Sequence, residues 1–267
     1  MASRLAVIDT HTHPLLHPSQ QMVDWDHTAD DYRTKAERAG IVHAAALVMA
    51  PEGDLERTRS LNDATLALAT SSGGFFYPVC SVHPRDGEAA LQEIGRVKRA
   101  GARLLKLHPN TQHFDVADPA VAAVVERAAS EGLPVLFDAY SPWDADQPGK
   151  FVQLAMAVPK ATLVLAHAYG PHFADLLVYH ILSRYPWWER RVYIDISAIG
   201  PLLSGSPFAE QFVWVLRKVG FDRILFGSDY PVDDPERAVQ QVRELGLDEE
   251  EARLAFHDNA LRLLGDL

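Results

Sequence analysis

Short apolar runs alternate with longer amphipathic segments from one end of the chain to the other. The runs at residues 5–9, 44–49, 75–82, 103–107, 134–138, 162–166, 192–196 and 224–227 predict eight strands. Several are almost unbroken in Val, Ile, Leu and Phe, the pattern of parallel strands covered on both faces. Each is followed by residues at helical spacing. In the segment 118–131, Val121, Val124, Val125 and Ala128 fall on one face. Asp118-Pro119 and Asp234-Pro235 read as an N-cap followed by proline at the first helical position. Gly40, Gly101, Gly132 and Gly220 stand where a helix ends before the next strand begins. Eight strand–helix units predict a closed (β/α)8 barrel of TIM type, one domain over residues 1–267. No glycine-rich phosphate fingerprint follows the first strand, which argues against a dinucleotide-binding sheet.

Composition narrows the partners more than the fold. The formal net charge of −11, with no run of Lys or Arg, argues against a nucleic-acid backbone as ligand. No stretch is long and uncharged enough to span a bilayer, and the first residues lack the apolar core of a signal peptide. The single cysteine, Cys80, excludes an internal disulfide framework and reads as a small core residue. A cytoplasmic protein acting on a small molecule is the expectation. Oligomeric state stays open, a homo-oligomer included.

The chemistry gathers at the carboxyl ends of the strands, where barrels of this type carry their active sites. His11 and His13 follow the first strand, and extended chain sends both rings to the same side, where they can share a cation. An isolated His-x-His pair is ordinarily a surface feature. Asp229 changes that reading, because it ends the eighth strand, the neighbour of the first in a closed barrel. The carboxylate can then touch the metal and take a proton from bound water. His167 ends the sixth strand and is a candidate catalytic group. Lys106 and His108 end the fourth; Lys106 can bind a substrate anion or carry a carboxylate adduct bridging two metals. His83, His113 and His172 carry weaker signals. His17, His27, His43, His180 and His257 receive no role. Trp25, Tyr140, Trp143 and Phe208 lie in or beside long loops and are candidates to shape a pocket.

The motifs Asp-Thr-His-Thr-His (9–13), Lys-Leu-His-Pro (106–109), Leu-Ala-His-Ala-Tyr-Gly (165–170) and Leu-Phe-Gly-Ser-Asp-Tyr-Pro (225–231) resemble the amidohydrolase superfamily. The similarity is to its amidohydrolase-2 branch, which includes aminocarboxymuconate semialdehyde decarboxylase and related hydrolases, and it extends to the closing segment 258–264. It implies metal ligation by His11, His13 and Asp229 and a catalytic or ligating role for His167. The family usually has a metal-binding histidine at the end of strand five, where this chain has Asp138, a harder ligand. The reading is a metal-dependent hydrolase of a small amide, lactone or ester-like substrate, with zinc or manganese on His11, His13, Asp229 and Asp138. Asp229 would be the general base, with His167 and Lys106 as further catalytic groups. The alternatives are a non-oxidative decarboxylase gripping a carboxylate through Lys106 or Arg191, a metal-free lactonase, and a non-catalytic binding barrel.

Overall fold

The computed structural model describes residues 5–15 and 28–265. Eight parallel strands form one sheet in chain order: β1 (Val7–Asp9), β2 (Ile41–Leu47), β3 (Phe76–Ser81), β4 (Leu104–Leu107), β5 (Val135–Asp138), β6 (Leu163–Ala166), β7 (Val192–Asp195) and β8 (Ile224–Leu225). All eight overlap the apolar runs that predict them. The sheet closes through the residues that follow β8. Thr10 N–H donates to the Phe226 carbonyl at 2.9 Å, Asp229 N–H to His11 at 2.7 Å and His13 N–H to Tyr230 at 2.7 Å. A parallel bridge pairs Thr12 with Tyr230. The fold is a (β/α)8 barrel.

The helices between the strands are α1 (Ala29–Ala39), α2 (Leu55–Ser71), α3 (Glu88–Arg99), α4 (Pro119–Ser130), α5 (Gln147–Ala157), α6 (Leu177–Leu182), α7 (Ile199–Leu203) and α8 (Ala209–Val219). The chain ends in α9 (Pro235–Arg243), α10 (Glu249–Arg253) and α11 (Asn259–Leu264). Their punctuation follows the sequence. Asp118 caps α4 by accepting from Ala120 N–H at 2.9 Å, and Asp234 accepts from the Glu236 and Arg237 amides at the start of α9. Gly40 ends α1 at φ 84°, a left-handed conformation that glycine adopts without a Cβ clash. Val121, Val124, Val125 and Ala128 of α4 are all buried. The short helix α7 falls within residues 197–207, just before Phe208, a stretch whose sequence reads as a long loop.

Two apolar layers result from strand alternation. Leu105, Leu107, Val135, Phe137, Leu163, Leu165 and Ile194 face outward and pack with the helices. Leu104, Leu136, Val164 and Tyr193 face inward, joined by Ile8, Leu47, Val79 and Leu225. Two residues further on, the inward positions become Lys106, Asp138, Ala166 and Asp195, so the alternation that fills the barrel also turns polar groups into its mouth. Cys80 is fully buried, and burial pushes its thiol up to about 12, aided by Glu93; it is a core residue, as its sequence context predicts. Among the described residues no helix is long and apolar enough to cross a membrane.

The closing helix is tied to the barrel by Asn259. Its buried amide donates to the carbonyls of Phe221 at 2.6 Å and Ile224 at 2.8 Å, on either side of the entry to β8. Replacing Asn259 by alanine leaves the Phe221 carbonyl with the Ile224 N–H but takes this donor from the Ile224 carbonyl, and an unsatisfied buried group costs about 1–3 kcal/mol. Urea unfolding of Asn259→Ala should show a loss in that range; an unchanged midpoint would mean water reaches the Ile224 carbonyl.

Candidate functional site

Asp9 organises the first wall of the site. Its Oδ1 accepts from the amides of His11 at 3.2 Å and Ser228 at 2.9 Å, and its Oδ2 accepts from the Tyr32 hydroxyl at 2.8 Å. One carboxyl thereby spans the ends of β1 and β8 and reaches α1. Complete burial raises Asp9 to about 7 against the pull of those hydrogen bonds. Asp229 adopts φ 59°, a left-handed conformation that costs an ordinary residue about 1–3 kcal/mol and concentrates at functional sites. Its amide bond to His11 holds the chain there.

The result is a buried trio. The Asp229 Oδ1 atom lies 3.4 Å from Nε2 of both His11 and His13, and one ligand-type atom from each of the three residues falls within 4.8 Å of the others. The two rings, from residues two apart, have centroids 5.3 Å apart. Lys106, fully buried at the end of β4, brings Nζ to 3.1 Å from His11 Nε2. Burial lowers the lysine's affinity for its proton, opposed by Asp138, Asp229 and Asp195.

A second group sits beside the first. Asp138 Oδ2 lies 3.2 Å from His167 Nε2 and 3.4 Å from His108 Nε2, and the Asn110 amide donates to its Oδ1 at 3.3 Å. The structure therefore brings His11, His13 and Asp229 into one trio and Asp138 into a neighbouring cluster with His167 and His108. Burial would raise Asp138, yet His108, His167 and Lys106 hold its carboxyl well below the usual range. Burial would likewise depress His167, but Asp229 and Asp138 outweigh it and raise the imidazole to about 9. Its Nδ1 points at the Ser197 carbonyl, 3.2 Å away, so donors on both ring nitrogens fit their partners and His167 is an imidazolium. Burial takes His108 down to about 4 and His11 well below its ordinary value. For Asp229, the charge on His167 and the His13 hydrogen bond overcome burial and keep the carboxylate ionised.

Asp195 and Ser197, at the end of β7, are functional-site residues that strand-end motifs do not reveal. Asp195 Oδ2 lies 3.1 Å from His11 Nδ1, and its Oδ1 accepts from the Ser197 amide at 2.6 Å. The Ser197 hydroxyl is 3.2 Å from His11 Nδ1 and 3.1 Å from His167 Nδ1. Burial raises Asp195 to about 6. The one signal in the sequence is an acid inside an apolar strand, Val-Tyr-Ile-Asp-Ile. Gly227 makes room for this contact: a Cβ there would stand 2.6 Å from His11 Cβ and 2.9 Å from Asp195 Oδ1.

The donor set fits a divalent cation. A proton on His11 Nδ1 satisfies Asp195 and leaves a lone pair on Nε2, facing the Asp229 carboxylate. Two acceptors at 3.4 Å repel unless positive charge joins them, and the ammonium of Lys106 already stands at their side. Two imidazoles and a carboxylate are a ligand set of zinc-type enzymes, with a position left open for substrate. His13 Nδ1 is buried with no hydrogen-bond partner among the described residues.

Other expected groups lie elsewhere. Arg191 precedes β7, at the opposite end of the strand from Asp195, and pairs with Glu189 at 2.6 Å; it cannot grip a substrate in the barrel mouth. His83 is buried against the Gln112 carbonyl at 2.7 Å, a structural contact. Trp143 and Phe208 are largely exposed, and Trp25, His17 and His27 lie outside the described residues.

Among solved structures the chain resembles 2,6-dihydroxybenzoate decarboxylase from Rhizobium, with TM-score 0.76 and 16% identity over 98% of this chain and 99% of that one. It resembles 5-carboxyvanillate decarboxylase from Sphingomonas paucimobilis, with TM-score 0.71 and 15% identity over 98% and 99%. A Pseudomonas putida protein assigned as a 2-pyrone-4,6-dicarboxylic acid hydrolase gives TM-score 0.70 and 23% identity over 98% of both chains. At such identities these likenesses bear on the fold. A comparison with curated protein sequences gives no match. The family model described as Amidohydrolase matches residues 8–265, from the middle of β1 to the residue after α11, and so takes in every strand end described above. The chain belongs to the amidohydrolase family, in its amidohydrolase-2 branch.

Proposed function

We propose that the protein is a hydrolase of a small amide, lactone or ester-like substrate, working with a divalent zinc or manganese ion on His11, His13 and Asp229. The observation that carries this reading is the convergence of those three side chains, buried, at the seam where β8 meets β1. A divalent ion bound there supplies Lewis acidity, which polarises a carbonyl and makes water acidic near neutral pH. Asp229 is the general base: its ionised carboxylate accepts the proton of the attacking water and returns it to the leaving group. His167, charged between Asp138 and Ser197, stabilises negative charge developing on the carbonyl oxygen. Asp138 acts in this scheme as the counter-ion that keeps His167 protonated, a role its contacts support better than direct ligation. Lys106 anchors an electron-rich part of the substrate beside His11.

A decarboxylase is the second reading. Two of the similar structures are decarboxylases, and Lys106, a buried cation at the mouth, suits a substrate carboxylate. Decarboxylation would draw on the same cluster, with Lys106 holding the carboxylate and a proton delivered to the carbon it leaves. Incubation with panels of lactones, esters, amides and aromatic carboxylates separates the two. Acid release without carbon dioxide is expected; carbon dioxide as the product would move the assignment to the decarboxylase.

Protein purified without chelator should carry about one divalent ion per chain, as a single three-ligand site implies. The double variant His11→Ala/His13→Ala should lose the ion while keeping the circular dichroism of a folded barrel. Full activity of wild-type protein after exhaustive chelation would overturn the metal-dependent reading.

Asp229→Asn preserves shape and one ligand oxygen but removes the base. Its kcat should fall by about 10²–10⁴, the usual cost of losing a general base, with metal content falling far less. Near wild-type turnover with metal retained would place the base elsewhere.

A further inference from the structure

The rings of His11 and His167 lie with centroids 5.0 Å apart and planes tilted by 30°, yet their contacts require different protonation. His167 faces acceptors from both nitrogens. His11 faces a carboxylate on one side and an ammonium donor on the other. Something must keep the proton of His11 on Nδ1, since a proton on Nε2 would point at Lys106 and remove the lone pair from the trio.

We propose that Asp195 is a positioning residue that locks His11 in its Nδ1–H tautomer, and that the Ser197 amide fixes which Asp195 oxygen does so. The backbone N–H of Ser197 holds Oδ1 at 2.6 Å, so Oδ2 is the oxygen left for His11 Nδ1 at 3.1 Å. Both residues are fully buried, and Gly227 leaves the space that this side-chain contact fills. The consequence for metal binding rests on the function proposed above: with its proton held on Nδ1, His11 presents a lone pair on Nε2, met here by Lys106 Nζ at 3.1 Å, which a metal ion would displace. The tautomer itself does not depend on that reading.

The geometry makes an unusual prediction about substitutions. In Asp195→Asn, Ser197 N–H still requires an oxygen, so the amide NH2 must face His11 Nδ1. It donates there, as the rotatable Ser197 hydroxyl at 3.2 Å can too, which moves the proton onto Nε2. Asp195→Ala leaves a gap that water fills, and His11 can then take either tautomer. The near-isosteric Asn variant should therefore bind metal worse than the Ala variant. A packing role for Asp195 predicts the reverse order.

The first test is ¹H–¹⁵N long-range NMR of the histidine rings in metal-free protein. His11 should show Nδ1–H in the wild type and Nε2–H in Asp195→Asn. The second is titration with Zn²⁺ alone. Loss of an orienting partner of this kind typically costs 10–100-fold in affinity, so Asp195→Asn should lose about that much and Asp195→Ala less. An unchanged His11 tautomer in Asp195→Asn would overturn the proposal, as would Zn²⁺ affinity that falls further in Asp195→Ala. Failure of the wild type to bind Zn²⁺ would instead refute the metal reading, and the NMR comparison would still decide the role of Asp195.

Discussion

The hydrogen bonds that close the barrel between its last and first strands are the constraint on which the site depends. β8 is short, and the closure is made largely by irregular chain beyond it: Asp229 N–H on His11, His13 N–H on Tyr230 and the carboxyl of Asp9 joining both sides. Without this seam His11 and His13 would be two histidines on an edge and Asp229 a distant turn residue. With it, their side chains meet in a volume too small for three uncompensated polar groups. The closure that completes the hydrophobic core thus also creates a demand for positive charge.

That demand is met asymmetrically. Two carboxylates, Asp138 and Asp195, each take one histidine of a neighbouring pair. Asp138 sits near His108, His167 and Lys106 and stays ionised, so His167 keeps its extra proton. Asp195 faces a histidine crowded by Lys106 and His167, where burial and like charge drive His11 neutral. Neighbouring groups with opposed proton affinities are the arrangement from which acid–base roles arise. Identical side chains acquire different functions because each faces a different partner across the barrel.

Much of this was legible in the sequence, for a physical reason. A strand buried on both faces must be apolar, so eight apolar runs mark eight strands, and the ionisable side chains that close or follow a run mark the mouth. His11, His13, Lys106, Asp138, His167 and Asp229 are all found that way. Asp195 escapes because its importance lies in which ring stands opposite it, and periodicity within one strand carries no information about the facing strand. Asp138 was legible as a mouth residue, while its partners, His167 and His108, follow only from the register of β4, β5 and β6. Arg191 shows the converse limit: a charge beside a strand is informative only when the end of the strand is considered, and Arg191 precedes β7.

The substitution of Asp138 for the histidine usual in this family alters the charge of the cavity as well as its ligands. An imidazole there would leave His167 and His108 without their shared carboxylate. His167 would then lose one of the two acceptors that hold it as an imidazolium, and burial, which already opposes its charge, would favour the neutral ring. Lys106 would lose one of the three carboxylates that sustain its own charge. An Asp138→His change that improved a metal site could therefore still impair the reaction, by removing positive charge from the place where an oxyanion forms. The Asp138–His167 pair and the position of Lys106 are best understood together, as one device that keeps cationic groups in a buried cavity beside a cluster of ligands that also attracts a cation.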